Sequence, residues 1–226
     1  TRLLTRTAEH VDKFMVVRCM TQPTPGVGNS HPKGSQYIFS GETPGGPVEM
    51  PDISSAVAMR MGSKASHLPS NILVPGTSEQ AKESRIGFLP PAYQVFKTGG
   101  NPSNPSWSVP NLGLLGVDEK RFKNRRDLLS KLDIGVAGSR HVTGARAMRA
   151  LMNRAGDMLT NPHTRKAFNI QGEPEAVRER YGTGHRGQCY LLGRKLIEAG
   201  VRFVTVDCRE PMASYRDGKQ VHYGGG

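Results

Sequence analysis

No pair of cysteines at Cys-x-x-Cys spacing occurs in this 226-residue chain, and its three cysteines, Cys19, Cys189 and Cys208, leave one over in any disulfide scheme. A disulfide framework and a thiolate metal cluster are thereby set aside, and small buried residues are the expectation for all three. No apolar run approaches the about 20 residues that cross a bilayer, and no signal peptide is read, so no membrane span is expected. Walker loops, His-Glu-x-x-His pairs, Gly-x-Ser-x-Gly elbows and zinc-finger spacings are all missing. Their absence removes the best-marked classes of nucleotide-binding, zinc-protease and serine-hydrolase chemistry. Aromatic residues make up only 6% of the chain and hydrophobic residues 36%. A core must therefore be built from aliphatic strands and helix stripes.

What the chain has in quantity is glycine (27), proline (16) and positive charge. The first two mark a loop-rich globular protein. Lys and Arg outnumber Asp and Glu by 31 to 19, a net charge of +12 that favours anionic partners. The excess lies in Lys120 to Arg126 and Arg140 to Lys166, which read as helices with arginines opposite an apolar stripe, hence as solvated faces. No nucleic-acid recognition motif accompanies the charge, and nucleic acid is not expected as a partner. The length suits one sizeable core, so residues 1–226 are read as a single α/β domain. The start at Thr1 within a helical pattern and the stop at Gly226 after a strand lead to the expectation that it is truncated at both termini.

Leu4, Ala8 and Val11 recur at helical spacing before a β-rich run at residues 14 to 19, which predicts a helix followed by a buried strand. The same order returns where Cys189, Leu192, Leu196 and Ala199 mark a helix closed by Gly200 and followed by a strand at residues 201 to 206. Two such units predict a mainly parallel sheet covered on both faces, with the first and last strands in that one sheet. A third strand is expected at residues 71 to 74, and a short helix at 52 to 61 with Asp52 as its cap. Residues 97 to 116, rich in Gly, Pro, Asn and Ser around the single Trp107, read as an ordered loop excursion with Trp107, Val109 and Leu112 to bury. Residues 118 to 168 form a helical block, in which Met148, Leu151, Met152, Ala155, Met158 and Leu159 give a stripe read as core. Pro174 opens a further helix that closes at Gly182.

The segment with most chemistry joins the first expected strand to the next helix, placed at about Gly34 to Ser40. Its loop delivers Asn29, Ser30, His31 and Lys33 to a helix amino terminus, whose free N–H groups and dipole suit an anionic ester. His31 could act there as base, acid or metal ligand, or simply be a solvated cap. Lys33 is available to an anion and Asn29 to orient an imidazole. His185 reads as a helix-start residue that packs or caps. His141, His163 and His222 lack metal-ligand spacing.

Three blocks together carry a resemblance. They are the segment from Phe14 to Gly41, the run from Arg85 to Tyr93, and Arg180-Tyr181-Gly182 with Gly187-Gln188 and the stretch from Arg194 to Val206. The chain resembles, over essentially its whole length, the bacterial sulfatase-like family called domain of unknown function 1501, a relative of the alkaline phosphatase and sulfatase superfamily. The resemblance implies a three-layer α/β/α sandwich, here incomplete, with metal ligands at the carboxyl ends of strands. It implies a divalent metal in the full-length parent, export to the periplasm or beyond, and action on a phosphate or sulfate ester.

Sulfatases place a Cys-x-Pro-x-Arg nucleophile motif ten residues before the Gly of a Thr-Gly pair. Here the pair is Ser40-Gly41, and that position is held by His31. Formylglycine-type sulfatase chemistry is therefore not expected. An upstream aspartate segment and a downstream Trp-Asp-Thr-His segment of the family are also missing, which leaves Asp207 as the one candidate metal-binding carboxylate. The expectation is a metal-dependent hydrolase-like parent, with this chain alone binding no metal and lacking turnover. The rival reading is a non-catalytic binding or structural module on the same fold. Substrate, metal identity and oligomeric state are not legible.

Overall fold

A computed structural model describes residues 4–18, 26–76, 85–114, 116–136, 142–207, 214–216 and 219–221. The centre of the molecule is β1 (Asn71–Val74), whose four residues are all buried, from 0% exposure at Ile72 and Val74 to 6% at Leu73. β2 (Phe96–Lys97) pairs with one side of it and β3 (Phe203–Val206) with the other, both parallel. The order β2-β1-β3 gives a small open parallel sheet. A strand buried at every position has both faces covered, as apolar parallel strands require. One cover is α8 (His185–Glu198), whose Cys189, Leu192 and Leu196 join Ile72, Val74, Val204 and Val206 in the main core cluster. α3 (Ile53–Met61) packs against β1 and β3. The chain is thus mixed α/β with a parallel sheet between helices.

The remaining elements, in chain order, begin with α1 (Thr5–Ala8) and α2 (His31–Ser40). Then follow α4 (Glu119–Val136), α5 (Val142–Thr160), α6 (Pro162–Phe168) and α7 (Glu175–Tyr181), and a two-stranded antiparallel hairpin of β4 (Ser214–Arg216) and β5 (Lys219–Val221). The expected helices and their punctuation are present. Pro174 precedes α7, Gly182 follows it, and Asn161 caps α6 by accepting the His163 N–H at 2.8 Å. Trp107 Nε1 donates to Gly99 O at 2.9 Å, while Val109, Trp107 and Leu112 pack on the core.

The strand expected at residues 14 to 19 is not formed over its described part. Residues 14 to 18 pair with no other segment among the described residues, and Phe14, Met15, Val16 and Val17 are 43%, 85%, 58% and 63% exposed. Cys19 lies outside the described residues. A β-branched run prefers a half-buried pleated surface, and without an adjoining edge the preference has nothing to act on. The parallel partner of the last strand is β1 instead.

The methionine stripe of α5 is likewise not core: Met148 and Met152 are 55% and 54% exposed. Polar contacts tie the helix to its surroundings, with Arg126 of α4 lying over Gly156 and bonding Asp157 at 3.0 Å, and Arg154 donating to Leu68 O at 2.9 Å. Asp52 begins α3 but makes no side-chain cap. Its Oδ2 accepts the Arg85 N–H at 2.9 Å while its own N–H reaches Arg85 O at 2.9 Å, because a buried carboxylate binds whichever donor the fold presents. Cys189 is buried and in no disulfide, and Cys208 lies outside the described residues.

Truncation of fully buried Leu196 to Ala is expected to cost about 2–5 kcal/mol in chemical denaturation. Val17→Ser, at a residue 63% exposed, is expected to change stability by less than about 0.5 kcal/mol. Equal losses in the two variants would show that residues 14 to 17 are packed.

Candidate functional site at the carboxyl rim

Parallel strands all end on one edge, and helices that lead back into them begin on that edge. The carboxyl rim of this sheet is therefore where the ends of β1, β2 and β3 meet the starts of α3 and α8. The ladder continues one step past each strand. Asp207 N–H donates to Val74 O at 2.6 Å on one side, and Thr98 N–H to Leu73 O at 3.1 Å with Gly99 N–H to Pro75 O at 2.6 Å on the other. Asp207 and Thr98 thereby flank the end of β1, about two strand spacings or ~10 Å apart.

Lys97, the last residue of β2, is half-buried. Loss of water around its ammonium lowers its pKa from the ordinary lysine value, and the charge of Asp52 at the start of α3 works in the opposite direction. Thr98 is fully buried, and its Oγ1 has no hydrogen-bond partner among the described residues.

The loop after β2 then brings Asn101 to His185, the first residue of α8. His185 Nδ1 lies 2.8 Å from Asn101 Oδ1. The Ser103 N–H also points at Asn101 Oδ1, at 2.9 Å, which identifies that atom as the carbonyl oxygen, an acceptor only. His185 must therefore carry its proton on Nδ1, leaving Nε2 to face Cys189 Sγ at 3.7 Å one helical turn on. His185 is 5% exposed and Cys189 0%, so the pair is an interior one.

The helix start is held by α7. A Cβ at Gly187 would run into the carbonyl oxygens of Tyr181 and Gly182, while Gln188 Nε2 donates to Gly182 O at 2.7 Å and to Arg178 O at 3.2 Å. On the other flank, Gly87 lies so close to residues 49–51 that a Cβ would stand 2.5 Å from Glu49 O, and Arg85 pairs with Glu49 at 2.5 Å.

The sequence-predicted residues fall in two places. Asp207 is at the rim and half-buried. Asn29, His31 and Lys33 are exposed together at the start of α2, which begins at His31 rather than near Gly34. Ser30 caps that helix by accepting the Lys33 N–H at 3.5 Å. α2 packs against α3. Among the described residues no three His, Cys, Asp or Glu side chains stand close enough to hold a metal ion. The metal that the sequence resemblance implies therefore has no assembled ligand set among the described residues. Sequence reasoning missed Lys97, Thr98 and Asn101, and gave His185 only a packing or capping role. The one available signal was the i, i+4 spacing of His185 and Cys189.

Residues 1–210 match the family described as Protein of unknown function (DUF1501), and the chain belongs to that family. No curated protein and no solved structure matches it.

Asn101→Ala removes the acceptor that holds His185 Nδ1–H, at an expected cost of about 1–2 kcal/mol. The imidazole 15N shifts of His185 should then move from the Nδ1–H pattern toward a mixture of tautomers. A tautomer unchanged in the variant would show that Asn101 does not set it. Because Lys97 loses its proton more readily than an ordinary lysine, a larger neutral fraction is present at pH 8 to 9. Mass-spectrometric mapping with an amine-acylating reagent should then find Lys97 modified ahead of exposed Lys64 and Lys166.

Proposed function

We propose that this member of the DUF1501 family is a hydrolase-like α/β/α protein that receives an anionic ester, a phosphate or sulfate monoester, at the carboxyl rim of its sheet. The observation that carries the reading is the buried Thr98 hydroxyl, unpartnered among the described residues and adjacent in the chain to Lys97, at the end of a parallel strand. A buried hydroxyl left without a bond costs about 1–3 kcal/mol, a cost that a bound ester oxygen would relieve. The ammonium of Lys97 supplies the charge that draws an anion to the rim, and partial burial strengthens that attraction. Asp207 on the far side of β1 adds a carboxylate within the same span. His185 is positioned by Asn101 with Nδ1 protonated and Nε2 turned inward, which suits support of the rim rather than proton exchange with solvent.

Kinship with the alkaline phosphatase and sulfatase superfamily, metal dependence and export belong to this proposal through the sequence blocks alone. The second reading, a binding module without catalysis, is favoured by one observation: His31, which stands where sulfatases have their nucleophile, is exposed at a helix start.

Titration of the chain with p-nitrophenyl phosphate and p-nitrophenyl sulfate tests the rim. Saturable binding that weakens about tenfold in Lys97→Ala is expected, as the loss of one charge-assisted hydrogen bond predicts. Undiminished affinity in that variant would remove the rim as the ester site. Release of p-nitrophenol is expected to stay at the buffer rate with added Mg, Mn, Zn or Ca. A chelator-sensitive rate well above buffer would overturn the statement that the described residues do not hold a catalytic metal.

A further inference from the structure

A second cavity lies at the opposite edge of the sheet. His67 and Leu68 precede β1, and Glu198 and Ala199 end α8 just before β3, so these residues gather at the amino ends of the strands. Here His67, His163, Lys166, Lys195 and Glu198, with Ala167 and Ala199, line a cavity of about 320 Å³. Its walls are pinned from three elements. Thr164 Oγ1 donates to His67 O at 3.1 Å, Arg154 Nη2 donates to Leu68 O at 2.9 Å, and the His67 and His163 rings stand 6.1 Å apart at a tilt of 48°.

The charge balance of the cavity decides what it can hold. Glu198, the one acid in the lining, is paired with Arg194 at 2.7 Å. Glu173, beside it, is paired with Lys195 at 2.5 Å, and that pair is mostly shielded, with side-chain exposures of 19% and 12%. Both acids are thus matched by a cation of their own. Lys166 has no ion-pair partner among the described residues, and the side chains of His67 and His163 make no hydrogen bond there. What remains unmatched is one ammonium and two imidazoles lining an open cavity that also includes Ala167 and Ala199. A cation would meet the unpaired ammonium, and no three metal ligands gather here. An anion with several acceptor oxygens would satisfy all three groups at once.

We propose that this cavity is a binding site for a tetrahedral oxyanion, either the free ion or the anionic head of a monoester whose organic part rests on Ala167 and Ala199. It is separate from the rim, and its residues are not those of the proposed ester site.

The test follows the imidazole 1H–13C signals of the full chain during titration with inorganic phosphate, phenyl phosphate and, at matched ionic strength, chloride. His67→Ala and His163→Ala variants assign the two signals. Saturable shifts of both with phosphate and none with chloride are expected, together with about tenfold weaker binding in Lys166→Ala. Tighter binding of phenyl phosphate than of phosphate assigns the site to a monoester, and equal binding assigns it to the free ion. His163 and Lys166 are exposed, so their variants should fold, and circular dichroism checks this. Arg165→Ala, on the same helix but outside the cavity lining, should bind phosphate as the unaltered chain does. Non-saturating shifts, shifts equal with chloride, or an unchanged affinity in Lys166→Ala would each overturn the proposal.

Discussion

The burial of β1 on both faces is the constraint from which the rest of this molecule follows. Ile72, Leu73 and Val74 each contribute roughly 1.5–3 kcal/mol only if water is excluded above and below the sheet. That demand requires a helix layer on each side and parallel neighbours reached by crossovers. The helices that lead into β1 and β3 must then start at the edge where the strands end. Asp52 and His185 are carried to that edge by α3 and α8, and Lys97, Thr98 and Asp207 by the strands, although these residues are scattered along the chain. The rim is a consequence of covering one apolar strand.

The family blocks act largely as fastenings for that arrangement. Gly87 and Arg85 hold the segment before α3 through Glu49 and Asp52, while Gly187 and Gln188 lock the start of α8 to the end of α7. These contacts are backbone approaches and buried amide bonds, in which small changes of shape are costly. Resemblance through such blocks therefore speaks more directly to the fold than to a reaction.

Positive charge is also spent within the structure. Arg154 reaches a backbone carbonyl from a half-buried position, where loss of water lowers its pKa, and Arg126 ties α4 to α5 through Asp157 and Asn153. The net +12 of the chain is thus partly structural. At the two edges of the sheet, partial burial gives Lys97 and the surroundings of Lys195 an electrostatic weight that a solvated surface lysine lacks.

The helix limits at Asn161-Pro162, Pro174, Gly182 and Gly200 were legible in the sequence because each depends on one or two residues of backbone. The strands at 71 to 74 and 203 to 206 were legible because an unbroken apolar run has few places to go other than a covered sheet. His31 could be set at a helix start by the same local reasoning. Beyond that reach lay everything that depends on what occupies the space next to a residue. Residues 14 to 17 have the composition of a buried strand yet meet no edge among the described residues, and Met148 and Met152 have the spacing of a core stripe yet face solvent. Asn101 and His185, far apart in the chain, are joined by one hydrogen bond. Local preference sets the shape that a segment can adopt, but burial, hydrogen-bond pairing and ionisation are properties of neighbours, and only the tertiary structure decided who the neighbours are.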